Sequence, residues 1–288
     1  MPGQDAVTVF APAKINLYLH VTGRRDDGYH LLDSLIAFAD IGDTVTAEPA
    51  ETLSLTVRGP EAAGLQQLGE GNLVLRAARS LAAHYGIAPE ARLTLDKQLP
   101  IASGIGGGSS DAAATLRALA GLWRCPIDAV GAIALELGAD VPACLAGRPV
   151  WVGGVGERLH PAPSLPPLGI VLANPRRELP TADVFRARRG GFSQEAPRID
   201  ISAPAALFAL LSRCRNDLTD AAASLAPEIA VVLDRLARLP DARLTRMSGS
   251  GATCFALFAD REAASRAAAV LAETEPGWWV RAGTLLAS

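Results

Sequence analysis

The sequence has few cysteines, few aromatic residues and no long apolar run, and each shortage removes a class of protein. Cysteine occurs four times in 288 residues, at Cys125, Cys144, Cys214 and Cys254, with no C-x-x-C pair among them. That spacing argues against a zinc site and leaves four reduced, buried small hydrophobes. Aromatic residues make up 5%, so the 49% apolar content is carried by Ala, Leu and Val. This is enough for a core, and it is the profile of a folded chain. No uninterrupted apolar run reaches the roughly 18 residues of a membrane span. The N-terminal "MPGQDAVTVFAPAKINL" lacks the basic start and apolar stretch of a signal peptide. The 27 basic and 30 acidic residues leave a net charge of −3, with no block of like charge. Nothing therefore suggests a nucleic-acid partner, a nucleic-acid arm or a polybasic membrane anchor. The expectation is a cytoplasmic, enzyme-sized protein of about two domains, or one large one.

The apolar pattern places the elements. "VTVFAPAKINLYLHVT" reads as strand, broken near Pro12. From Lys14 the alternation is strict: Ile15, Leu17, Leu19 and Val21 point one way, and Lys14, Asn16, Tyr18 and His20 the other. Asp27-Gly28 is a turn signal, and "LLDSLIAFAD", "DTVTAE" and "LSLTV" read as further strands. "NLVLRAARSLAAHYG" is helical, with Leu73, Ala77, Leu81 and Ala82 on one face and Gly86 as its stop. "ARLTLDKQLP" is a short strand. Leu116, Leu119, Ala120 and Trp123 mark an amphipathic helix, and "PIDAVGAIALELG" another that ends at Gly138. The Pro-rich stretch from His160 to Gly169 is the best candidate boundary. "GIVLANP" is a strand, and "ARLTRMSGSGATCFALFAD" reads strand, glycine turn, strand, with Asp260 capping a helix. Without regular strand–helix alternation, the class is α+β.

"PIASGIGGGSSDAAATLRAL", from Pro100 to Leu119, crowds Gly104, Gly106, Gly107 and Gly108 against Ser109 and Ser110. A Walker A loop is excluded because the dipeptide Gly-Lys occurs nowhere. A dinucleotide fingerprint fits poorly: Ser109 stands at the third glycine, and "LAGLWRCPI", where an acidic residue is expected about 20 positions on, supplies none until Asp128. A tight strand-to-helix connection needs fewer glycines. A different phosphate loop remains, in which glycines let backbone N–H groups converge on one anion and the helix N-terminus adds its dipole. Ser109 and Ser110 would then offer hydroxyls to phosphate oxygen or to Mg²⁺. "RMSGSGAT" does not meet the serine-nucleophile pattern, since Ser248 stands where G-x-S-x-G needs its first glycine.

Read together, "PAKINL", "GYH", the glycine loop, "LGADVP" and "SGSGA" strongly resemble the GHMP kinase superfamily of small-molecule kinases. The likeness covers nearly the whole chain, with three motifs in order near residues 12–17, 100–110 and 247–252. The resemblance implies a two-lobed fold: an N-terminal nucleotide-binding lobe over residues 1–160 and a smaller C-terminal α/β sandwich over 161–288. It implies ATP and Mg²⁺ as cofactors, and a monomer or homodimer. ATP would lie on Pro100, Ile101, Ala102, Ser103, Gly104, Ile105, Gly106, Gly107, Gly108, Ser109 and Ser110, with Asn72 and Lys97 near the adenine. "GRRDDGYHLLDSL" points, within the superfamily, to a small-molecule acceptor carrying a cytidine diphosphate group, phosphorylated on the 2-hydroxyl of a methylerythritol in the non-mevalonate isoprenoid route. A superfamily member acting on homoserine, mevalonate or a sugar is the nearer rival, and a non-catalytic nucleotide sensor the farther one.

Each residue also has a plainer reading. Asp140, in "LELGADVPACL", reads as a cap or turn residue; in the family the "GADVP" aspartate is the catalytic base. Lys14 reads as part of a solvated strand face; the resemblance sets it beside that aspartate, where a cation holds the carboxylate ionised. Asn16 follows on the same face, about 7 Å along the strand. Tyr29 reads as a loop residue and Phe185 as core; the resemblance makes them the two sides of a cytosine sandwich, with His30 on the base's polar edge. Gly249 and Gly251 read as a hairpin turn, or as a turn able to approach the phosphate loop closely. Ser103 stands where the family pattern has another glycine, and Asp111 either helps to hold Mg²⁺ or points away.

Overall fold

The computed structural model describes residues 6–65, 69–126 and 130–287. Its strands fall into two sheets, and its packing divides the chain into two units that interleave along the sequence. The first holds residues 1–13, 42–101 and 106–146; the second holds 14–41, 102–105 and 147–288.

In the first unit, strand β1 (Val7–Arg24) contributes its beginning and β2 (His30–Glu48) its end. Thr44–Glu48 pairs antiparallel with β4 (Arg92–Asp96), which pairs parallel with β3 (Ser54–Arg58). Two expectations change here. β1 is not broken at Pro12: it runs on for 18 residues. A proline is tolerated where a strand has a sheet neighbour on one side, and β1 is paired with β2 alone. The segments read as "LLDSLIAFAD" and "DTVTAE" form one strand through Gly42, where a Cβ would fall 2.3 Å from the Ala11 carbonyl oxygen.

Helix α1 (Leu73–Tyr85) starts where the Asn72 side chain accepts the Val74 N–H and stops at left-handed Gly86. It buries Val74, Ala77, Ala78, Leu81 and Ala82. Helix α2 (Gly107–Trp123) was expected to be amphipathic. It is buried on nearly every side, from Ser110 through Leu116 and on to Leu122. Its run of alanines lets α1 and the short helix α4 (Val141–Ala146) pack close, so α2 is the core of its unit. Helix α3 (Gly131–Leu137) ends at Gly138 as expected; residues 127–129 of the anticipated helix lie outside the described residues.

In the second unit, Leu32–Ile36 of β2 pairs with β5 (Val150–Gly154), which pairs with β6 (Arg158–Pro161). A second, antiparallel sheet runs β10 (Trp279–Thr284), β7 (Gly169–Asn174), β9 (Cys254–Phe258), β8 (Leu244–Met247). Around it lie α5 (Thr181–Ala187), α6 (Pro204–Leu211), α7 (Thr219–Leu225), α8 (Glu228–Ala237) and α9 (Arg261–Thr274). Val171, Ala256, Phe258, Ile229, Leu236 and Leu271 form the centre of this core. Asp260 caps α9 as expected, its carboxylate accepting the Ala263 N–H at 2.8 Å.

Candidate active site

The glycine loop leaves β4 and ends in α2. Ala102 (φ 48), Gly104 (φ 76) and Gly106 (φ 64) take left-handed backbone, which turns successive peptide groups. Gly106 is the N-cap of α2, and no side chain caps that end. The first helical bond is Ser110 N–H to the Gly106 carbonyl, 2.8 Å. The amides of Gly107, Gly108 and Ser109 precede it and have no acceptor within the helix. The Ser110 hydroxyl donates to the Pro12 carbonyl at 2.6 Å. Ser109 is half-buried.

In the second unit the start of the loop is clamped by the third motif. A Cβ on Gly104 would come within 2.6 Å of the carbonyl oxygens of Ser248 and Gly251, and one on Gly249 within 2.6 Å of the Gly104 carbonyl. The hydroxyl of Ser248 donates to that carbonyl at 3.0 Å, and Thr253 N–H donates to the Ser103 carbonyl at 3.0 Å. β1 joins the same network: Lys14 N–H donates to the Ile105 carbonyl at 2.9 Å, and Asn16 N–H to the Ser248 hydroxyl at 3.1 Å. The "SGSGA" turn is thus a backbone partner of the loop, and glycine is required at both closest points.

The polar face of β1 is not solvated. Lys14 is 4% exposed, and Asn16, Tyr18 and His20 are buried with it. The Lys14 ammonium donates to Asn16 Oδ1 at 2.9 Å, and Asn16 Nδ2 donates to the Ser34 hydroxyl at 2.8 Å. The Tyr18 hydroxyl donates to Asp33 Oδ2 at 2.9 Å. Burial, then the Asp33 charge, raises that phenol above its ordinary value. Nε2 of His20 accepts Arg215 N–H, so Nδ1 carries the proton and donates to the Gln194 carbonyl.

The rings of His30 and Phe185 stack, with centroids 5.1 Å apart and planes 27° from parallel. Tyr29 stands out from them, 66% exposed. Asp140 lies in the first unit, half-buried at the start of α4, where its carbonyl accepts Cys144 N–H at 3.1 Å. Lys97 and Asp111 are a pair: the Lys97 ammonium donates to Asp111 Oδ2 at 2.7 Å and to Asp43 Oδ2 at 2.6 Å. Asp111 therefore points away from solvent, 2% exposed, which removes it from the candidate Mg²⁺ ligands. Among the described residues no group of three His, Cys, Asp or Glu is arranged to hold a metal ion.

Two family models match the chain: the GHMP kinases N terminal domain over residues 72–148 and the GHMP kinases C terminal domain over residues 198–277. A protein of Rhodospirillum rubrum named 4-diphosphocytidyl-2-C-methyl-D-erythritol kinase is 52% identical, over 99% of this chain and 94% of its own. A protein of the same name from Cereibacter sphaeroides is 54% identical, over 94% and 96%. This chain belongs to the 4-diphosphocytidyl-2-C-methyl-D-erythritol kinase family of GHMP kinases. A crystal structure titled 4-(cytidine 5'-diphospho)-2C-methyl-D-erythritol kinase shares its fold, with a TM-score of 0.82 and 38% identity over 98% of this chain and 100% of that one. A homoserine kinase from Cytophaga hutchinsonii, 21% identical over 99% and 96%, has a TM-score of 0.73 and shows the common fold alone.

Two buried acidic residues that hold the candidate residues were missed in the sequence. Asp43 reads there as one more polar residue in a strand. Asp33 lies inside "GRRDDGYHLLDSL" but carries no signal of its own. Its carboxylate accepts Ala196 N–H at 2.7 Å and is paired with the Arg198 guanidinium. One compositional signal was available: Lys14 and Lys97 are the only lysines in the sequence, and both are buried.

Proposed function

We propose that this kinase transfers the terminal phosphoryl group of ATP to the 2-hydroxyl of 4-diphosphocytidyl-2-C-methyl-D-erythritol, giving the 2-phosphate and ADP in the non-mevalonate route to isoprenoid precursors. The observation that carries it is the uncapped N-terminus of α2 behind a loop whose backbone has no room for side chains at Gly104 and Gly249. Free amides and the helix dipole suit a triphosphate. Asn72 belongs to the nucleotide side of the site, and Lys97 supports that side from beneath the loop. The Ser109 hydroxyl is the ligand this chain would offer to a Mg²⁺ ion entering with the phosphates, which would supply charge neutralisation for the transferring group.

The proposed base is Asp140, which accepts or orients the proton of the attacking hydroxyl. Lys14 balances the charge that develops on that oxygen, and Asn16 holds the lysine in place through their 2.9 Å hydrogen bond. Phe185 and Tyr29 stack on cytosine. Burial, with Arg24 and Arg188 nearby, holds the His30 imidazole below its ordinary value. At neutral pH the ring is then uncharged and offers one donor and one acceptor to the polar edge of the base. Domain bounds of 1–160 and 161–288 belong to the same reading, and the cut falls between the two regions the family models match.

The test is ATP consumption by the purified protein with Mg²⁺ and the cytidine-diphosphate acceptor, beside homoserine and mevalonate. Asp140→Asn is expected to lower kcat about 100-fold or more while ATP binding persists. Phe185→Ala is expected to raise the acceptor KM about 10-fold, in line with about 1–3 kcal/mol of stacking per base. Turnover of homoserine or mevalonate, with none of the cytidine-diphosphate acceptor, overturns the assignment.

A further inference from the structure

We propose that Asp43, Lys97 and Asp111 form a buried staple that fixes both ends of the glycine loop, so that Lys97 is a positioning residue and not a nucleotide contact. The three side chains are 0%, 2% and 3% exposed. Asp43 is the anchor. Its Oδ1 accepts the backbone N–H groups of Gln98 at 2.6 Å and Leu99 at 2.8 Å, so it grips the chain as it enters the loop. Its Oδ2 holds the Lys97 ammonium, which in turn holds Asp111 at the start of the second turn of α2. The ammonium also lies against the helix backbone: a Cβ on Gly107 would stand 3.0 Å from it. Entry strand and exit helix are thus tied through one cation.

The tie matters because the anion donors proposed here are backbone amides of the turn just before Asp111, whose direction is the direction of the helix end. It also screens a carboxylate that would otherwise oppose a triphosphate. The cluster holds one cation and two carboxylates, and Asp111 Oδ1 is buried with no hydrogen-bond partner. Burial is the main reason the Asp111 carboxyl is pushed up to about 7, against the pull of Lys97 and with a further push from Asp43. A proton on Asp111 balances the cluster. Lys97 keeps its own proton, because the two carboxylates outweigh the cost of burying it.

This inference rests on ATP binding at the α2 N-terminus, and the experiment separates the two. Calorimetric affinities for ATP and for inorganic tripolyphosphate, which has no adenine, are measured on the wild type, Asp111→Ala and Asp111→Asn. Wild-type protein that binds neither ligand overturns the functional reading and the staple with it. With wild-type binding present, the staple predicts that Asp111→Ala weakens both ligands by a similar factor, about 10-fold, because the helix end has lost its tie. Asp111→Asn, whose amide oxygen still accepts from Lys97, is expected to restore both to within about threefold. Unchanged affinities in Asp111→Ala overturn the proposal, and so does a loss confined to ATP, which indicates an adenine contact. Should Asp111→Ala fail to fold, Asp43→Asn/Lys97→Met/Asp111→Leu carries the same comparison, since the amide oxygen at position 43 still accepts the two backbone donors and no charge is left buried and unpaired.

Discussion

Each unit buries a charged network, and the two are built differently. In the first, Lys97 lies between Asp43 and Asp111, all out of water, with one carboxylate oxygen left without a hydrogen bond. In the second, Asp33 is buried alone. It accepts from the Tyr18 hydroxyl and Ala196 N–H and is paired with Arg198, whose guanidinium stays 37% exposed and covers the Trp151 ring at 4.7 Å. One anion here meets one cation that keeps contact with solvent, and every oxygen has a partner. The first network is unbalanced by one charge and must borrow a proton; the second is balanced as it stands. A buried ion cluster is a weak source of stability but is costly to break, and the cost depends on what is left unpaired.

Four changes test that contrast. Lys97→Met has the largest expected effect: it strands two buried carboxylates and is expected to cost about 3–5 kcal/mol at pH 7, read from urea denaturation. An equal or smaller cost than for Asp33→Ala breaks the comparison. Asp33→Ala leaves the Tyr18 hydroxyl and Ala196 N–H without acceptors, while Arg198 can turn to water; about 2–3 kcal/mol is expected from the same measurement.

The third change concerns pH. The folded Asp111 carboxyl lies near 7, against 3.8 ordinarily, so the folded protein holds a proton that the unfolded chain has released. Its contribution to stability is complete below about pH 4 and is lost as the pH rises toward 7. Asp111→Asn is expected to flatten that part of the stability–pH curve; a curve that keeps the wild-type slope places the proton elsewhere. The smallest effect is expected from Trp151→Phe, which keeps an aromatic ring under Arg198. Thermal unfolding should show a loss of about 1 kcal/mol or less, and a larger one would mean that the second network depends on its cover.

Local signals located most of the architecture. Asn72 and Gly86 bound α1, Gly138 ends α3 and Asp260 starts α9, because caps and stops act over a single turn. The same local reading broke β1 at Pro12 and split β2 at Gly42, since it cannot know that β1 has one sheet neighbour there or that a second strand passes against the glycine. It gave α2 a solvent face because alanine is neutral in such a pattern, whereas packing by α1 and α4 buries nearly all of it.

The site divides in the same way. The glycine loop, the order of the three motifs and the family they indicate were present in the sequence, because a phosphate-binding backbone needs glycine at fixed local positions. What the polar residues do was decided by the tertiary structure. Alternation put Lys14, Asn16, Tyr18 and His20 on one face, and only the packed fold makes that face buried. The Ser110 hydroxyl bonds Pro12, 98 residues away in sequence. Lys97 finds Asp43 across 54 positions and Asp111 across 14. A side chain's type sets which bonds it can make, but desolvation makes those bonds obligatory, and desolvation comes from neighbours that are distant in the chain.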